Sequence, residues 1–235
     1  MRGPKCRPVV TKMADLKFSP VEFDLPPIPI VIAGAGASRR YGSPKLLAEM
    51  PDKGVSLIFH LVSTAVAAGA SPAVVVIGPG TEEHFRIIAE EVDRAGGVPL
   101  HVEPAPAEMI DSLKVGLNQL KSEYQSSPKI SPEYVLLSPA DIPAVSRDFL
   151  RQLTDKCRQG SADLIRGLTP EGRGIHPVAV RWSVISHILQ MECSEGMKPL
   201  WKDDRLNRYE WIYDCTQIFH DLDNPQDWQK FRRLP

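Results

Sequence analysis

Apolar residues recur along this chain in two alternating rhythms. Ile28 to Ile32 is a short β-branched run with Gly34 just beyond it, the pattern of a buried strand. From Leu57 the apolar positions Leu57, Ile58, Leu61, Val62, Ala65 and Val66 return every three or four residues, which predicts a helix stopped by Gly69. Ala73 to Ile77 is a continuous strand-type run closed by Gly78-Pro79-Gly80. Phe85, Ile88 and Val92 predict a second helix starting after Thr81, whose hydroxyl suits an N-cap with Glu82 and Glu83 in the first turn. Val98 to Val102 reads as a strand. Ile110, Leu113, Leu117 and Leu120 give a helix with one apolar stripe. After the polar stretch Ser122 to Pro132, Tyr134 to Leu137 reads as a strand ending at Ser138-Pro139-Ala140-Asp141. Phe149, Leu150, Leu153 and Cys157 again have helical spacing. Strands alternating with helices predict a three-layer α/β/α sandwich around a mostly parallel central sheet.

Residues 1–27 break this rhythm. Pro4, Pro8, Pro20, Pro26 and Pro27 interrupt every helical pattern there, so the segment reads as a proline-rich flexible tail and residues 28–235 as one domain. At 235 residues, with 43% hydrophobic and 24% charged side chains, the composition is globular and argues against disorder. The net charge of −1 removes the usual electrostatic ground for a nucleic-acid or anionic-membrane surface, but leaves room for a local basic pocket. Cys6, Cys157, Cys193 and Cys215 show no CxxC or zinc-like spacing, which excludes a disulfide-rich secreted scaffold and favours the cytoplasm. Val55 to Gly80 lacks charge, but Gly69-Ala70-Ser71-Pro72 interrupts it, so no membrane span is expected. Arg2, Lys5 and Arg7 precede no apolar core, so no secretory signal is read there.

In open α/β sheets ligands gather at the carboxyl ends of the strands, which directs attention to the turns after Ile32 and Leu137. The first runs Ala33-Gly34-Ala35-Gly36-Ala37-Ser38-Arg39-Arg40-Tyr41-Gly42-Ser43-Pro44-Lys45. Small residues let backbone N–H groups approach an anion, and Arg40 and Lys45 add positive charge suited to a polyphosphate. A dinucleotide-binding GxGxxG matches only in part, because Arg39 stands where the third glycine belongs. A P-loop fails, since Gly42 is followed by Ser43-Pro44-Lys45. A plain glycine-rich turn with two solvated basic residues is the structural alternative.

The whole string resembles the signature L-A-A-G-x-S-x-R-M-G-x-P-K of the MobA-like nucleotidyltransferases, especially the molybdenum-cofactor cytidylyltransferases. Gly36, Ser38, Arg40, Gly42, Pro44 and Lys45 fall on it at its own spacing, while Ala33, Gly34 and Tyr41 depart from it. Further segments follow in the family's order. Met109 to Leu117 is similar to the element that helps form the base pocket, with Glu108 where glycine is usual and Ile110 where serine is usual. Asp141-Ile142-Pro143 is similar to the strand-end D-x-P motif. Gly174-Ile175-His176-Pro177-Val178 and Gly196-Met197-Lys198-Pro199-Leu200 are similar to two later segments, and Asp221-Leu222-Asp223-Asn224-Pro225 to a D-I-D-T-P motif.

The resemblance implies a nucleotide-diphospho-sugar transferase type of fold and Mg²⁺ as cofactor, with Asp141 and Asp223 as metal ligands. It implies Arg40, Lys45 and Asp141 as catalytic residues, and Ala35, Gly36, Ala37, Ser38, Arg40, Lys45, Ser112 and Asp141 as nucleotide-binding. His176 and Lys198 are placed on the acceptor side. The expected partners are an NTP, with CTP favoured by Ala35 and Pro44, and a phosphorylated acceptor such as molybdopterin. A molybdoenzyme or insertion chaperone would follow, with no nucleic acid and no membrane. The chemistry is coherent: nucleotidyl transfer needs positioning and charge neutralisation on phosphate oxygens, and Mg²⁺ takes a few carboxylate oxygens plus phosphate and water. No GxSxG and no activated cysteine is visible, and none is needed. The histidines lack HxxxH or HxH spacing, which argues against zinc.

Each residue also has a plainer role open to it. Asp141 can shape a turn, Asp221 and Asp223 can face solvent, His176 can be a satisfied core or rim histidine, and Lys114 can be an exposed helix residue. Three other functions stay open: transfer to a sugar or alcohol phosphate, a nucleotide-binding module without turnover, and a glycosyltransferase. The last wants D-x-D after the central strand, where Asp141-Ile142-Pro143 has one acid.

Overall fold

A computed structural model describes residues 9–11, 26–36, 44–51, 53–126, 131–160, 162–192 and 195–214. Among them the strands are β1 (Val9–Thr11), β2 (Ile28–Gly34), β3 (Ala70–Ile77), β4 (Val98–Glu103), β5 (Tyr134–Pro139), β6 (Leu164–Leu168), β7 (Val178–Arg181) and β8 (Arg208–Ile212). The helices are α1 (Leu57–Ala67), α2 (Glu82–Arg94), α3 (Met109–Gln125), α4 (Arg147–Gln159), α5 (Ile185–Gln190) and α6 (Lys198–Lys202), with short 3₁₀ turns at Lys45–Leu47 and Trp182–Val184.

Local chemistry sets the helix ends. Ser56, Thr81 and Ser146 each accept the N–H three residues on, at 3.2, 3.1 and 3.1 Å, which satisfies one orphan donor at the start of α1, α2 and α4. Thr81 is the cap expected from the sequence. Gly69 closes α1 at φ +89°, a conformation that a side chain would strain.

The strands form one sheet in the order β1-β4-β3-β2-β5-β7-β6-β8. Only β1 and β7 run against the rest, so the sheet is mostly parallel, as expected. Its central runs are continuously apolar because both faces are covered. Ile30, Ile32, Val75 and Ile77 pack on one side with the apolar stripes of α1, α2 and α4. Val31, Val74 and Val76 pack on the other with Leu113, Leu117 and Leu120 of α3 and Ile185 and Ile188 of α5. The three-layer α/β/α architecture follows directly.

Chain order then locates the ligand edge. From β2 the chain steps outward to β3 and β4, and returns through α3 to place β5 on the opposite side of β2. The crossovers leave β2 in opposite directions, so a crevice opens at the carboxyl ends of β2 and β5. Among the described residues no helix is long and apolar enough to cross a membrane.

One segment departs from the sequence expectation. Val9–Thr11, inside the stretch read as a flexible tail, pairs antiparallel with His101–Glu103 at the β4 edge. An open edge offers unpaired N–H and C=O groups to any extended backbone, so pairing there needs no amphipathic pattern. The other residues of 1–25 lie outside the described residues.

Candidate active site

The crevice is a cleft of about 230 Å³, lined by Gly34 and Gly36 beyond β2, Lys45 in the turn that follows, Asp141 beyond β5, and Glu108 and Ser112 at the start of α3. Each wall has a sequence origin. Beyond β5, the Ala140 N–H donates to the Ala33 carbonyl at 3.2 Å, stapling this strand end to that of β2 and presenting Asp141 at the rim. Beyond β2 the chain returns at Pro44, whose extended backbone leads into the Lys45–Leu47 turn. Leu46 is buried and anchors that turn, and a Cβ on Gly34 would meet its Cδ1 at 3.1 Å and the Val76 carbonyl oxygen at 3.1 Å. Gly34, which departs from the nucleotidyltransferase signature, thus makes room for the residue that seats Lys45. Gly78 serves the neighbouring turn: a Cβ there would lie 2.3 Å from the Ala35 carbonyl oxygen.

The Lys45 Nζ donates to Asp141 Oδ2 at 3.1 Å, with side chains 12% and 34% exposed. The pair is therefore half-sheltered, where a fixed charge acts more strongly than in bulk water. The start of α3 also lines the cleft, and the positive end of a helix dipole favours an anion. A capping box takes up two of the donors there: Asp111 Oδ2 accepts the Glu108 N–H at 3.3 Å, and the Glu108 carboxylate accepts the Asp111 N–H. Ser112 is buried and exposed Met109 lines the rim, so this wall offers a hydroxyl and a thioether face to a planar group.

Lys45, Asp141, Gly36 and Ser112, separated by up to 105 positions, meet at one cleft. Ala35 is present differently, with its side chain buried in the core beside Val31, Val76 and Ile110. His176 stands just before β7. Burial pulls its pKa down, against the Leu137 carbonyl and the Asp141 carboxylate, which favour the charged form. Its Nδ1 is buried with no partner among the described residues. Lys198 is exposed at the start of α6 and is not on the cleft wall. Lys114, read as either a family position or an ordinary surface residue, ties α3 to the end of α5 through a 2.5 Å hydrogen bond to the Met191 carbonyl. Ala37, Ser38, Arg40 and Asp223 lie outside the described residues.

Pro106 and Ala107 of the cleft rim escaped the sequence reading. Their signal was available: Glu103-Pro104-Ala105-Pro106 is a turn at the carboxyl end of a strand, on the sheet edge where ligands bind. No cluster of three His, Cys, Asp or Glu side chains suited to a metal occurs among the described residues. The Asp141 carboxylate at the rim of a phosphate-sized space nevertheless fits a hard divalent cation of the Mg²⁺ type, which is bound through one or two carboxylates and completes its shell with phosphate and water.

His60 on α1 bears on the pH response. Burial, then the neighbouring Lys53 ammonium, hold its pKa at about 4 instead of 6.5, against the nearby Pro143 backbone, which favours the charged form. The unfolded chain protonates this histidine near pH 6.5 and the folded chain only near 4. Stability is thus fully present above pH 6.5 and is lost as pH falls towards 4. Buried His176 acts in the same direction. Melting curves between pH 7 and 4 are expected to show a falling Tm, with a shallower slope for His60→Gln.

The comparisons with known proteins come to the same place. Residues 30–208 match the MobA-like NTP transferase domain. The fold is similar to that of Rv0371c from Mycobacterium tuberculosis H37Rv, at 21% identity and a TM-score of 0.70 over 90% of this chain and 100% of that one. Its manganese complex gives 20% identity and a TM-score of 0.67 over the same shares, 90% and 100%. A nucleotidyl transferase from Methanothermobacter gives 19% and 0.68 over 87% and 95%. No curated protein sequence matches the chain. The domain match takes in β2 with its glycine-rich turn, Lys45, the α3 wall and Asp141, and on that footing the chain belongs to the MobA-like NTP transferase family of nucleotidyltransferases.

Proposed function

We propose that this protein transfers a nucleoside monophosphate from an NTP to a phosphorylated small-molecule acceptor and releases pyrophosphate. The observation that carries this is the Lys45–Asp141 pair, 3.1 Å apart at the topological switch point, in a cleft that the start of α3 also lines. An acceptor phosphate oxygen attacks the α-phosphorus, the bond from that phosphorus to the bridging oxygen breaks, and pyrophosphate leaves. No protein nucleophile takes part. Lys45 neutralises phosphate oxygens as charge moves onto the leaving group, and the Gly36 backbone allows close approach. A divalent cation held by Asp141 would supply further charge neutralisation; the manganese bound by Rv0371c supports that choice of ion class, with Mg²⁺ the expected metal. Arg40 and Asp223 are assigned to the triphosphate and the metal on their motifs alone. His176, whose charged form the Asp141 carboxylate favours and whose Nδ1 has no partner among the described residues, is assigned to the acceptor side, together with Lys198.

CTP and a molybdopterin-type acceptor are the favoured pair, because Ala35 and Pro44 are the residues of the cytidylyl branch of the signature. A cytoplasmic location agrees with the Cys157 thiol, which is buried, unbridged and pushed up to about 12. A molybdoenzyme or its insertion chaperone would receive the product.

A screen of pyrophosphate release, with four NTPs against molybdopterin, sugar phosphates and alcohol phosphates, tests this. Release with one NTP and one acceptor class is expected. Glu108 on the cleft wall favours a second reading, a nucleotide-binding module without turnover, because a carboxylate there repels phosphate. Tight NTP binding with no release in any well would select it. Mg²⁺ should strengthen NTP binding to the wild type, and Asp141→Asn should abolish that gain. An unchanged metal dependence in titration calorimetry would reject Asp141 as the ligand.

A further inference from the structure

The cleft differs chemically from one face of the sheet to the other. Leu46, Ala140 and Ile142, the chain neighbours of Lys45 and Asp141, pack in the layer of α1, α2 and α4. Ile110 and Leu113, on either side of Ser112 in α3, pack in the opposite layer. Among the described residues that line the cleft, Lys45 carries the one positive charge. The α3 side offers instead the Glu108 carboxylate, the Ser112 hydroxyl and the apolar surfaces of Pro106, Ala107 and Met109. A triphosphate is drawn to Lys45 and repelled by Glu108, so a nucleotide in this cleft lies with its base towards α3.

The two polar groups on that side suit the edge of a ring. The capping box fixes the Glu108 carboxylate, which accepts the Asp111 N–H and keeps further lone pairs for the cleft. Ser112 is 4% exposed, yet its hydroxyl has no hydrogen-bond partner among the described residues. The Ser112 N–H donates to the Glu108 carbonyl at 3.4 Å, so the two side chains rise from one helix face a single turn apart. An ionised carboxylate only accepts, whereas a hydroxyl can donate. Their complement is a donor beside an acceptor. Cytosine presents it as N4–H₂ and N3, adenine as N6–H₂ and N1; uracil and guanine present the reverse, a carbonyl beside an N–H.

We propose that Glu108 and Ser112 select the base: the carboxylate accepts the exocyclic amine, the hydroxyl donates to the adjacent ring nitrogen, and NTPs with an amino-type base are taken over keto-type ones. The glycine usual at position 108 has no side chain to do this, so the contact belongs to this chain. The proposal deepens the transfer reading and rests on it for the placement of the triphosphate at Lys45. Titration calorimetry of the full chain tests it, with Mg²⁺ and CTP, ATP, UTP or GTP, without acceptor, and with tripolyphosphate as a probe of the phosphate end. The wild type should bind CTP or ATP about tenfold or more tighter than UTP and GTP, because the wrong edge leaves both side chains unpaired. The CTP and ATP arms show which ring size fits. Glu108→Gln, whose amide also donates, should cut the ratio to about twofold or less and leave tripolyphosphate affinity within about twofold. Ser112→Ala should weaken the favoured NTP about fivefold and leave UTP and GTP within about twofold. Equal binding of the four NTPs by the wild type, a preference for UTP or GTP, or a Glu108→Gln effect shared by all four NTPs and tripolyphosphate would each overturn the proposal. Pyrophosphate release is measured separately. Base preference without release upholds the contact and rejects transfer, release without base preference does the opposite, and failure to bind any NTP rejects both.

Discussion

Lys45→Ala is expected to lower kcat for pyrophosphate release by about 10²–10³-fold, or about 2.7–4 kcal/mol of barrier, with the fold intact. The size follows from where the ammonium sits. Its side chain is 12% exposed, so the cleft and not bulk water surrounds the charge. It donates to Asp141 at 3.1 Å, so its position is set before any phosphate arrives. A preorganised donor in a sheltered site loses its whole advantage when removed, because water entering in its place must reorient during the reaction. The effect on stability is small by the same geometry. Asp141 is 34% exposed and keeps its hydration when its partner goes, so the loss is about 1 kcal/mol or less. Urea denaturation and turnover, measured on the same preparation, separate the two. A variant with wild-type kcat, or one that unfolds with its activity, would remove Lys45 from the transfer chemistry.

Gly116→Val should give the largest loss of stability. In an exposed helix a glycine costs about 1 kcal/mol relative to alanine, so replacing it usually stabilises. Gly116 reverses that sign because α3 presses on the sheet there. A Cβ at this position would lie 2.4 Å from Val31 Cγ1 and 3.2 Å from Val76 Cγ2, both on fully buried side chains of β2 and β3. Neither valine can turn away, since each is held among core residues on a strand that pairs on both sides. The helix must lift instead. Overpacking of this kind costs about 3 kcal/mol, and in a domain of this size that lowers Tm by about 6–12 °C. Gly116→Ala should fall between wild type and valine. Lifting α3 also carries Ser112 and Met109 away from Lys45 and Asp141, so the fraction that stays folded should bind nucleotide more weakly. A Tm for Gly116→Val equal to that of the wild type would show that the α3–sheet contact is looser than these distances imply.

The first half of the fold was legible in the sequence because its elements are long and buried on a regular period. Ile28–Ile32, Ala73–Ile77 and Tyr134–Leu137 are continuous apolar runs because helices cover both faces of their strands. Leu57–Val66 and Ile110–Leu120 keep strict helical spacing because only one face of each helix meets the sheet. Beyond Cys157 that clarity ends. β6, β7 and β8 have five, four and five residues, too few for a period to emerge, and Arg166 and Glu210 interrupt two of them. Those two charges face each other across neighbouring strands at 2.6 Å, a pairing invisible until the strands are adjacent. The Val9–Thr11 strand was illegible for another reason: its bonds run from backbone to backbone and leave no mark on side-chain pattern.

The candidate site divides in the same way. The glycine-rich turn, Lys45 and the strand-end Asp141 are local features, since a tight anion-binding turn and a strand terminus each need particular residues at adjacent positions. Their meeting is not local. The 3.1 Å contact between positions 96 apart exists because β5 returns to the far side of β2, and no spacing along the chain encodes that. The same holds for Gly34, whose missing side chain has meaning only once Leu46 lies against it. Composition and period could say that a buried parallel sheet with a phosphate-type turn would form, because burial and turn conformation are properties of short segments. Which charges face one another and which glycines are obligatory depend on distances between segments remote in sequence, and packing alone sets those.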